Sequence, residues 1–240
     1  MFASEAAGLH LLFSPQIIRV PEVLSCAEGN QEWSYILMEW ISLAHRAARC
    51  DQGLLGSQLA ALHQIVPSGG LFGLDHDNYI GSSRQINGWA AEWVTFYKEK
   101  RLQPQIDLAI RNGLASGNRL RKLRYVADNL NKWIGSEKCA PSLLHGDLWG
   151  GNVIAGGGGE PVLIDPAVYY GDREAELAFT ELFGGFSAEF YGAYQEVWPL
   201  EDGYTERRDL YNLYHLLNHL NIFGDSYGHQ VDSILQRYSP

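Results

Sequence analysis

His145-Gly146-Asp147-Leu148-Trp149-Gly150-Gly151-Asn152, followed by Leu163-Ile164-Asp165-Pro166, decides how this chain is read. An Asp and an Asn five residues apart share one tight loop, and a second Asp follows the first by eighteen residues at the end of an apolar strand. Phosphoryl transfer asks little covalent chemistry of a protein: one carboxylate to orient and deprotonate the attacking hydroxyl, and oxygen ligands for the Mg²⁺ that bridges the phosphates. H-x-D-x-x-x-x-N with a strand-end Asp supplies all three. The strand pair Val153-Ile154-Ala155 and Pro161-Val162-Leu163-Ile164 separates the two halves of the pattern and makes chance agreement improbable.

Working outward from that loop, the pattern resembles protein-kinase-like folds, which open with a small sheet lobe bearing a Gly-rich phosphate loop and a strand Lys. Neither occurs ahead of the first helix here. Phe2, Ala6, Leu9 and Phe13 fall on one helical face at the very start. Val20-Pro21-Glu22-Val23-Leu24 then reads as a strand. The expected fold class is therefore α+β, a two-lobe kinase-like fold with a truncated N-terminal lobe over residues 1–41 and a helical catalytic lobe over residues 42–240. The expected first lobe holds two or three strands and one helix.

Composition narrows the partners. The chain has 240 residues, ample for a sizeable core, with seven Trp and thirteen Tyr. A net charge of −10 excludes nucleic acid as the expected partner, because phosphate-backbone binding needs a basic face. A nucleotide stays admissible, since Mg²⁺ neutralises its charge. Cys26, Cys50 and Cys139 form neither a CxxC pair nor a zinc pattern, as expected of thiols in a reducing cytoplasm. No basic leader opens the chain, and no apolar run nears the roughly 18 residues of a membrane span.

Strands are expected over 20–26 and 33–39 around the polar turn Glu28-Gly29-Asn30-Gln31-Glu32, with Tyr35-Ile36-Leu37-Met38 running into Glu39-Trp40-Ile41. Leu55, Leu59, Leu62 and Val66 predict a helix over 53–64. Residues 72–87 read as a long loop rich in Gly, Asp and Asn. Trp89, Trp93, Phe96 and Tyr97 predict a helix over 89–109 with these rings on one side, and another follows over 120–133. From 174 to 240 the chain reads as helical. Gly156-Gly157-Gly158-Gly159 leads into a strand, not a helix, and lacks Gly-Lys-Ser/Thr, so it reads as a hairpin turn and not a phosphate loop.

Protein kinases carry a Lys two residues after the catalytic Asp; Trp149 stands there. A Trp face suits a sugar ring, which turns the reading toward a small-molecule kinase, although Trp149 could also pack the loop. With HGDLWGGN at 145–152, LIDPAVYYGDRE at 163–174, MFASEAAGL at 1–9, LGSQLAALH at 55–63, FGLDHDNYIGSSRQINGW at 72–89 and LFGGF at 182–186, the chain resembles the fructosamine/ketosamine 3-kinase family. This family is a branch of the aminoglycoside phosphotransferase-like kinases. The resemblance extends from residue 1 to about 227. It implies ATP- and Mg²⁺-dependent phosphorylation of the sugar 3-hydroxyl of a ketosamine, the first step in removing sugar from glycated amines.

The resemblance also implies roles. Asp147 is the expected base, Asn152 and Asp165 the metal ligands, and Met38, Glu39 and Ile41 the adenine-binding hinge, read through backbone groups. Glu5 stands where such folds place the helix Glu that pairs with the strand Lys, so it is expected to lack that partner. His145 is expected to brace the loop. Trp149, Glu174 and His219 are the expected substrate contacts. Glu174 and Glu176 stand at a helix start, where capping their own helix competes with anchoring the catalytic loop or contacting the substrate amine. His215 and His219, at i and i+4, are expected to line or support the sugar pocket, since no H-E-x-x-H context supports a metal pair. Two other readings stay open: a phosphotransferase for an aminoglycoside, choline or homoserine, and a non-catalytic binding remnant. Exposed strand edges in a short first lobe leave dimerisation open, and a shortened chain is expected to turn over more slowly than one carrying the phosphate loop and Lys.

Overall fold

The computed structural model describes residues 1–28, 33–44, 50–135 and 139–240. Residues 29–32 of the expected polar turn lie outside these. The first helix, α1 (Phe2–Phe13), buries Ala6, Leu9 and Leu12. Strands β1 (Val23–Glu28) and β2 (Ser34–Met38) follow and pair antiparallel, Cys26 opposite Ile36, with an irregularity between Val23 and Ser25. The approach to β1 docks on a segment far along the chain. Arg19 O accepts from Leu163 N at 3.0 Å, and the Arg19 guanidinium bridges Glu39 and Glu160.

α2 (Gln52–His63) starts on Asp51, whose carboxylate accepts from Leu54 N at 2.8 Å in the usual N-cap manner. The expected loop over 72–87 contains a hairpin instead. β3 (Asn78–Ile80) and β4 (Ser83–Gln85) pair antiparallel across Gly81 and Ser82. Three-residue strands whose buried positions are Asn78 and Gln85 beside a single apolar residue, Ile80, leave too little apolar alternation to read, which is why the loop reading failed there.

The helix expected over 89–109 begins only at α3 (Trp93–Phe96). It passes through a π-helical turn at Tyr97–Leu102 and continues as α4 (Gln103–Arg111). Trp89 precedes it and is half exposed, whereas Trp93, Phe96 and Tyr97 are fully buried. α5 (Gly117–Asp128) ends five residues short of the expected boundary, and a 3₁₀ turn at Leu130–Lys132 completes that segment.

The catalytic segment is built on four short strands: β5 (Ser142–Leu144), β6 (Val153–Ala155), β7 (Pro161–Leu163) and β8 (Tyr169–Gly171). β6 and β7 form the expected antiparallel pair, Ile154 opposite Val162, closed by the glycine turn through Gly156 N to Glu160 O at 2.9 Å. β5 pairs with β8, Leu143 opposite Tyr170, a ladder the sequence did not disclose. Four helices complete the described chain, α6 (Arg173–Leu182), α7 (Ala188–Val197), α8 (Tyr204–Phe223) and α9 (Gly228–Tyr238). One continuous core joins them, from Leu9 and Leu12 of α1 through Leu55 and Leu59 of α2 to Leu213, Leu217 and Leu235.

Candidate active site

Two crossings of the chain hold the catalytic loop. His145 and Gly146 follow β5, and their backbone N–H groups point at the Glu176 carboxylate of α6, at 3.1 and 2.6 Å. The same carboxylate accepts from His63 Nε2 of α2 at 2.9 Å, and His63 Nδ1 meets the Tyr194 hydroxyl of α7 at 2.8 Å. Glu176 thus anchors the catalytic loop, the rival of the helix-capping reading, while Asp172 caps α6 by accepting from Glu174 N at 2.9 Å. Burial raises the Glu176 carboxyl, yet the hydrogen bonds from His63 and Gly146 outweigh it and hold it below the ordinary glutamate range. His63 was not singled out in the sequence. A buried polar residue at the end of an otherwise apolar helix face was the available signal.

Gly146 has φ +84°, and a Cβ there would sit 2.0 Å from Ala167 O. Only glycine lets the loop pass this close to the strap that carries Asp165. His145 accepts from Asp147 N at Nδ1, 3.3 Å, and donates from Nε2 to Ile164 O at 2.9 Å. Burial keeps its ring neutral, consistent with a brace between loop and strap. Asp165 has φ +53°, a left-handed conformation that costs a non-glycine residue about 1–3 kcal/mol and persists where the surroundings impose it.

Asn152 Nδ2 donates to Asp147 O at 2.8 Å and to Asp147 Oδ2 at 3.3 Å, which commits its amide nitrogen to the loop. Asp147, Asn152 and Asp165 line one cavity of about 340 Å³ together with Glu5, Asn78, Tyr79, Gly81 and Trp149. Burial, opposed by the hydrogen bond from Asn152 and reinforced by the charge of Asp165, pushes Asp147 up to about 7. Burial and Asp165 also raise Glu5, which has no ion pair among the described residues.

Crowded carboxylates and a free amide oxygen form a hard-oxygen donor set suited to Mg²⁺. Among the described residues no group of three His, Cys, Asp or Glu could close a metal shell alone.

A second cavity, about 420 Å³, lies across the loop. Asp147, Trp149 and Gly81 line it as well, with Ile80, Phe179, Phe183, Asn218, His219, Phe223 and Tyr227. His219 donates from Nδ1 to His215 O at 2.8 Å, and its ring stands 4.9 Å from that of Phe183 and 5.0 Å from that of Tyr227. His215 stacks on Phe179 with ring centroids 3.6 Å apart and does not converge with His219 on a metal position. The sequence disclosed Trp149 and His219 here but not the aromatic wall, because Phe179, Phe183, Phe223 and Tyr227 meet only once α6 and α8 pack together.

Glu174 is brought elsewhere. Its carboxylate takes a two-point pair from Arg207, at 2.6 and 2.8 Å, in a separate cavity of about 600 Å³ with Arg173 and Trp198. Met38, Glu39 and Ile41 do not line the Asp147 cavity. Glu39 N pairs with Glu22 O at 2.8 Å and its carboxylate with Arg19.

A kinase-like α+β fold with this loop defines a class of small-molecule phosphotransferases. Aminoglycoside phosphotransferase APH(4)-Ia shares the fold, with a TM-score of 0.60 at 16% identity, over 99% of this chain and 83% of that one. Within the class, the family model described as fructosamine kinase matches residues 1–239, and the chain belongs to that family. It is 43% identical over 237 residues to the "Probable ketoamine kinase" of Synechocystis, covering 99% of this chain and 78% of that one. It is 41% identical over 238 residues to the "Protein-ribulosamine 3-kinase, chloroplastic" of Arabidopsis thaliana, covering 99% and 72%. The crystal structure of the "Putative fructosamine-3-kinase" from Haemophilus somnus superposes with a TM-score of 0.88 at 33% identity, over 100% of this chain and 80% of that one.

Proposed function

We propose that the protein transfers the γ-phosphoryl group of ATP to the sugar 3-hydroxyl of a ketosamine. The observation that carries this reading is the shared wall: Asp147, Trp149 and Gly81 border both the oxygen-lined cavity and the aromatic one. In this reading the phosphates occupy the first cavity and the sugar the second, with the Asp147 carboxylate at their junction. Asp147 takes the proton from the acceptor hydroxyl as its oxygen bonds to phosphorus and the bond to the departing diphosphate breaks. Asn152 and Asp165 hold the metal, which when bound neutralises charge on the transferring group. Asn152 also orients Asp147 through its amide, and His145 and Glu176 hold the loop rigid so that the carboxylate needs no reorganisation.

Trp149 and the rings opposite it offer faces to the CH edges of a sugar, and His219, with Nδ1 committed to His215 O, presents Nε2 to a hydroxyl. Residues 1–41 form the first lobe and 42–240 the second in this reading. Ile41 offers backbone groups at the hinge, while the Glu39 amide is committed to Glu22 O. Three free thiols suit a reducing cytoplasm, and among the described residues no helix is long and apolar enough to cross a membrane.

The test is Mg²⁺-dependent ATP consumption with fructoselysine, an aminoglycoside and choline offered in parallel. Turnover of fructoselysine alone, abolished by Asp147→Asn in a folded variant, is the expected result. Turnover of the aminoglycoside or choline without the ketosamine overturns the reading.

A further inference from the structure

The stretch Asp77-Asn78-Tyr79-Ile80-Gly81-Ser82-Ser83-Arg84-Gln85-Ile86-Asn87 belongs to the family resemblance, yet the catalytic reading leaves most of it without a task. Its hairpin, β3–β4, stands between the two cavities. Asn78 and Tyr79 line the oxygen-rich one, Ile80 the aromatic one, and Gly81 both. Behind that tip lies a fully paired set of buried amides. Gln85 Nε2 donates to Ala167 O at 2.9 Å and to Asn78 Oδ1 at 2.8 Å, and Gln85 Oε1 accepts from the Tyr214 hydroxyl at 2.9 Å. Asn78 Nδ2 donates to Val168 O at 2.8 Å. Asn87 Nδ2 donates to Asn78 Oδ1 at 3.0 Å and to His76 O at 2.9 Å, and its Oδ1 accepts from Arg101 Nη2 at 2.9 Å. Asn78, Gln85, Asn87, Arg101 and Tyr214 are all buried.

A buried polar network whose amides are paired rigidifies its surroundings and specifies one geometry. What this one fixes is the strap after Asp165. Ala167 N donates to His145 O at 2.8 Å on the catalytic-loop side. On the far side the Ala167 and Val168 carbonyls are taken by Gln85 and Asn78. Asp165, two residues before, is held left-handed against its intrinsic preference, a state that needs constraint from its neighbours. The strap is therefore gripped from both faces, by the catalytic loop and by the hairpin.

We propose that Gln85 and Asn78 are positioning residues of the metal site, which set the Asp165 carboxylate through the Ala167 and Val168 carbonyls. This rests on the reading of Asp165 as a metal ligand. Outer-shell partners of metal ligands change metal affinity by about 10–100-fold, so the effect is measurable without turnover.

The experiment is a Mn²⁺ titration at saturating ADP, read by the paramagnetic resonance of free Mn²⁺, on wild type, Asp165→Asn, Gln85→Met and Tyr97→Phe. Thermal melting is recorded on each. Tyr97→Phe is the stability control: its hydroxyl bonds the Leu210 and Tyr211 carbonyls at 2.7 and 3.0 Å and makes none of the bonds to the Ala167 and Val168 carbonyls. The expected result is Mn²⁺ binding weakened about tenfold or more in Gln85→Met, and unchanged in Tyr97→Phe at a comparable loss of melting temperature. Gln85→Met with lowered melting and wild-type Mn²⁺ affinity overturns the proposal, as does Asp165→Asn with wild-type affinity. Should Gln85→Met not fold, Gln85→Asn, one methylene short of Ala167 O, is held to the same criterion. A wild type that shows these metal effects but phosphorylates no ketosamine supports the positioning role and sinks the substrate assignment alone.

Discussion

Replacing Glu176 by alanine gives the most direct measure of what holds the catalytic loop. The side chain is buried, and it accepts from three donors: His63 Nε2 at 2.9 Å, His145 N at 3.1 Å and Gly146 N at 2.6 Å. Each buried donor left unpaired costs about 1–3 kcal/mol. Water entering the vacated space recovers part of this for the polar groups, so the sum is about 3–5 kcal/mol. A domain of this size loses roughly 2–4 °C in Tm per kcal/mol, which gives a fall of about 10 °C. Glu176→Gln should be milder. The side chain's volume is kept and Gly146 keeps an acceptor, so the stranded donors fall from three to two, the His145 N–H and, once His63 changes tautomer to accept from the new amide, the Tyr194 hydroxyl. The assay is calorimetric melting of wild type and both variants at neutral pH, with kcat and KM on the same preparations. The alanine variant should also lose kcat by more than it gains in KM, since the loop that aims Asp147 loosens. An alanine variant melting within about 3 °C of wild type would refute this account of the loop. pH adds a check. The Glu176 carboxyl is held below its ordinary value, so its contribution is complete above about 4.5 and is lost as pH falls through the lowered folded value. The stability gap between wild type and Glu176→Gln should therefore narrow on acidification.

Trp149→Ala should weaken ketosamine binding by about 1 kcal/mol or more while ATP affinity holds, measured as the two KM values. Gly151→Ala should act on the same ring from below: its Cβ would fall 2.2 Å from the Trp149 ring, so the indole must tilt. Tryptophan emission and ketosamine KM should shift together, and an unshifted emission counts against the packing described. Arg207→Ala should strand the buried Glu174 carboxylate and destabilise the fold by about 3 kcal/mol, read as a lowered Tm, with ketosamine KM unchanged; a raised KM would return Glu174 to the substrate site.

The meeting of Asp147, Asn152 and Asp165 at one cavity was legible because the proposed chemistry dictates their spacing. A base, an amide and a strand-end carboxylate around one phosphate group leave few arrangements, and the β6–β7 pair between them is apolar enough to read. α1 and α2 were legible from helical periodicity, over Phe2, Ala6 and Leu9 and over Leu55, Leu59 and Leu62, although Phe13, expected on the first face, is exposed and Leu12 takes the core position. Illegible parts share a cause: their residues earn their places through distant partners. Asn78 and Gln85 look like loop residues until Ala167 and Val168 supply the carbonyls they bond. β5 and β8 are three-residue strands that exist as a ladder only together. The π-helical turn at Tyr97–Leu102 was not read, although one extra residue turns the helical face by about 100°, because the four charged residues Lys98-Glu99-Lys100-Arg101 put no apolar residue inside it to mark the change. Glu174 and Glu176 stand two residues apart at one helix start, yet one meets Arg207 and the other the catalytic loop, a division that depends on where α2 and α8 pack.

The wall common to the two cavities has a consequence for ligand design. Asp147, Trp149 and Gly81 border both a site lined by oxygens and a site lined by rings. A molecule carrying a polyphosphate mimic at one end and an aryl-substituted polyol at the other needs only a short tether to occupy both. Once either end binds, the other is confined beside its own site at an effective concentration in the millimolar range. Affinity in such a tethered series should peak at one tether length and fall on either side, which makes the thickness of the partition a quantity that can be read from solution binding.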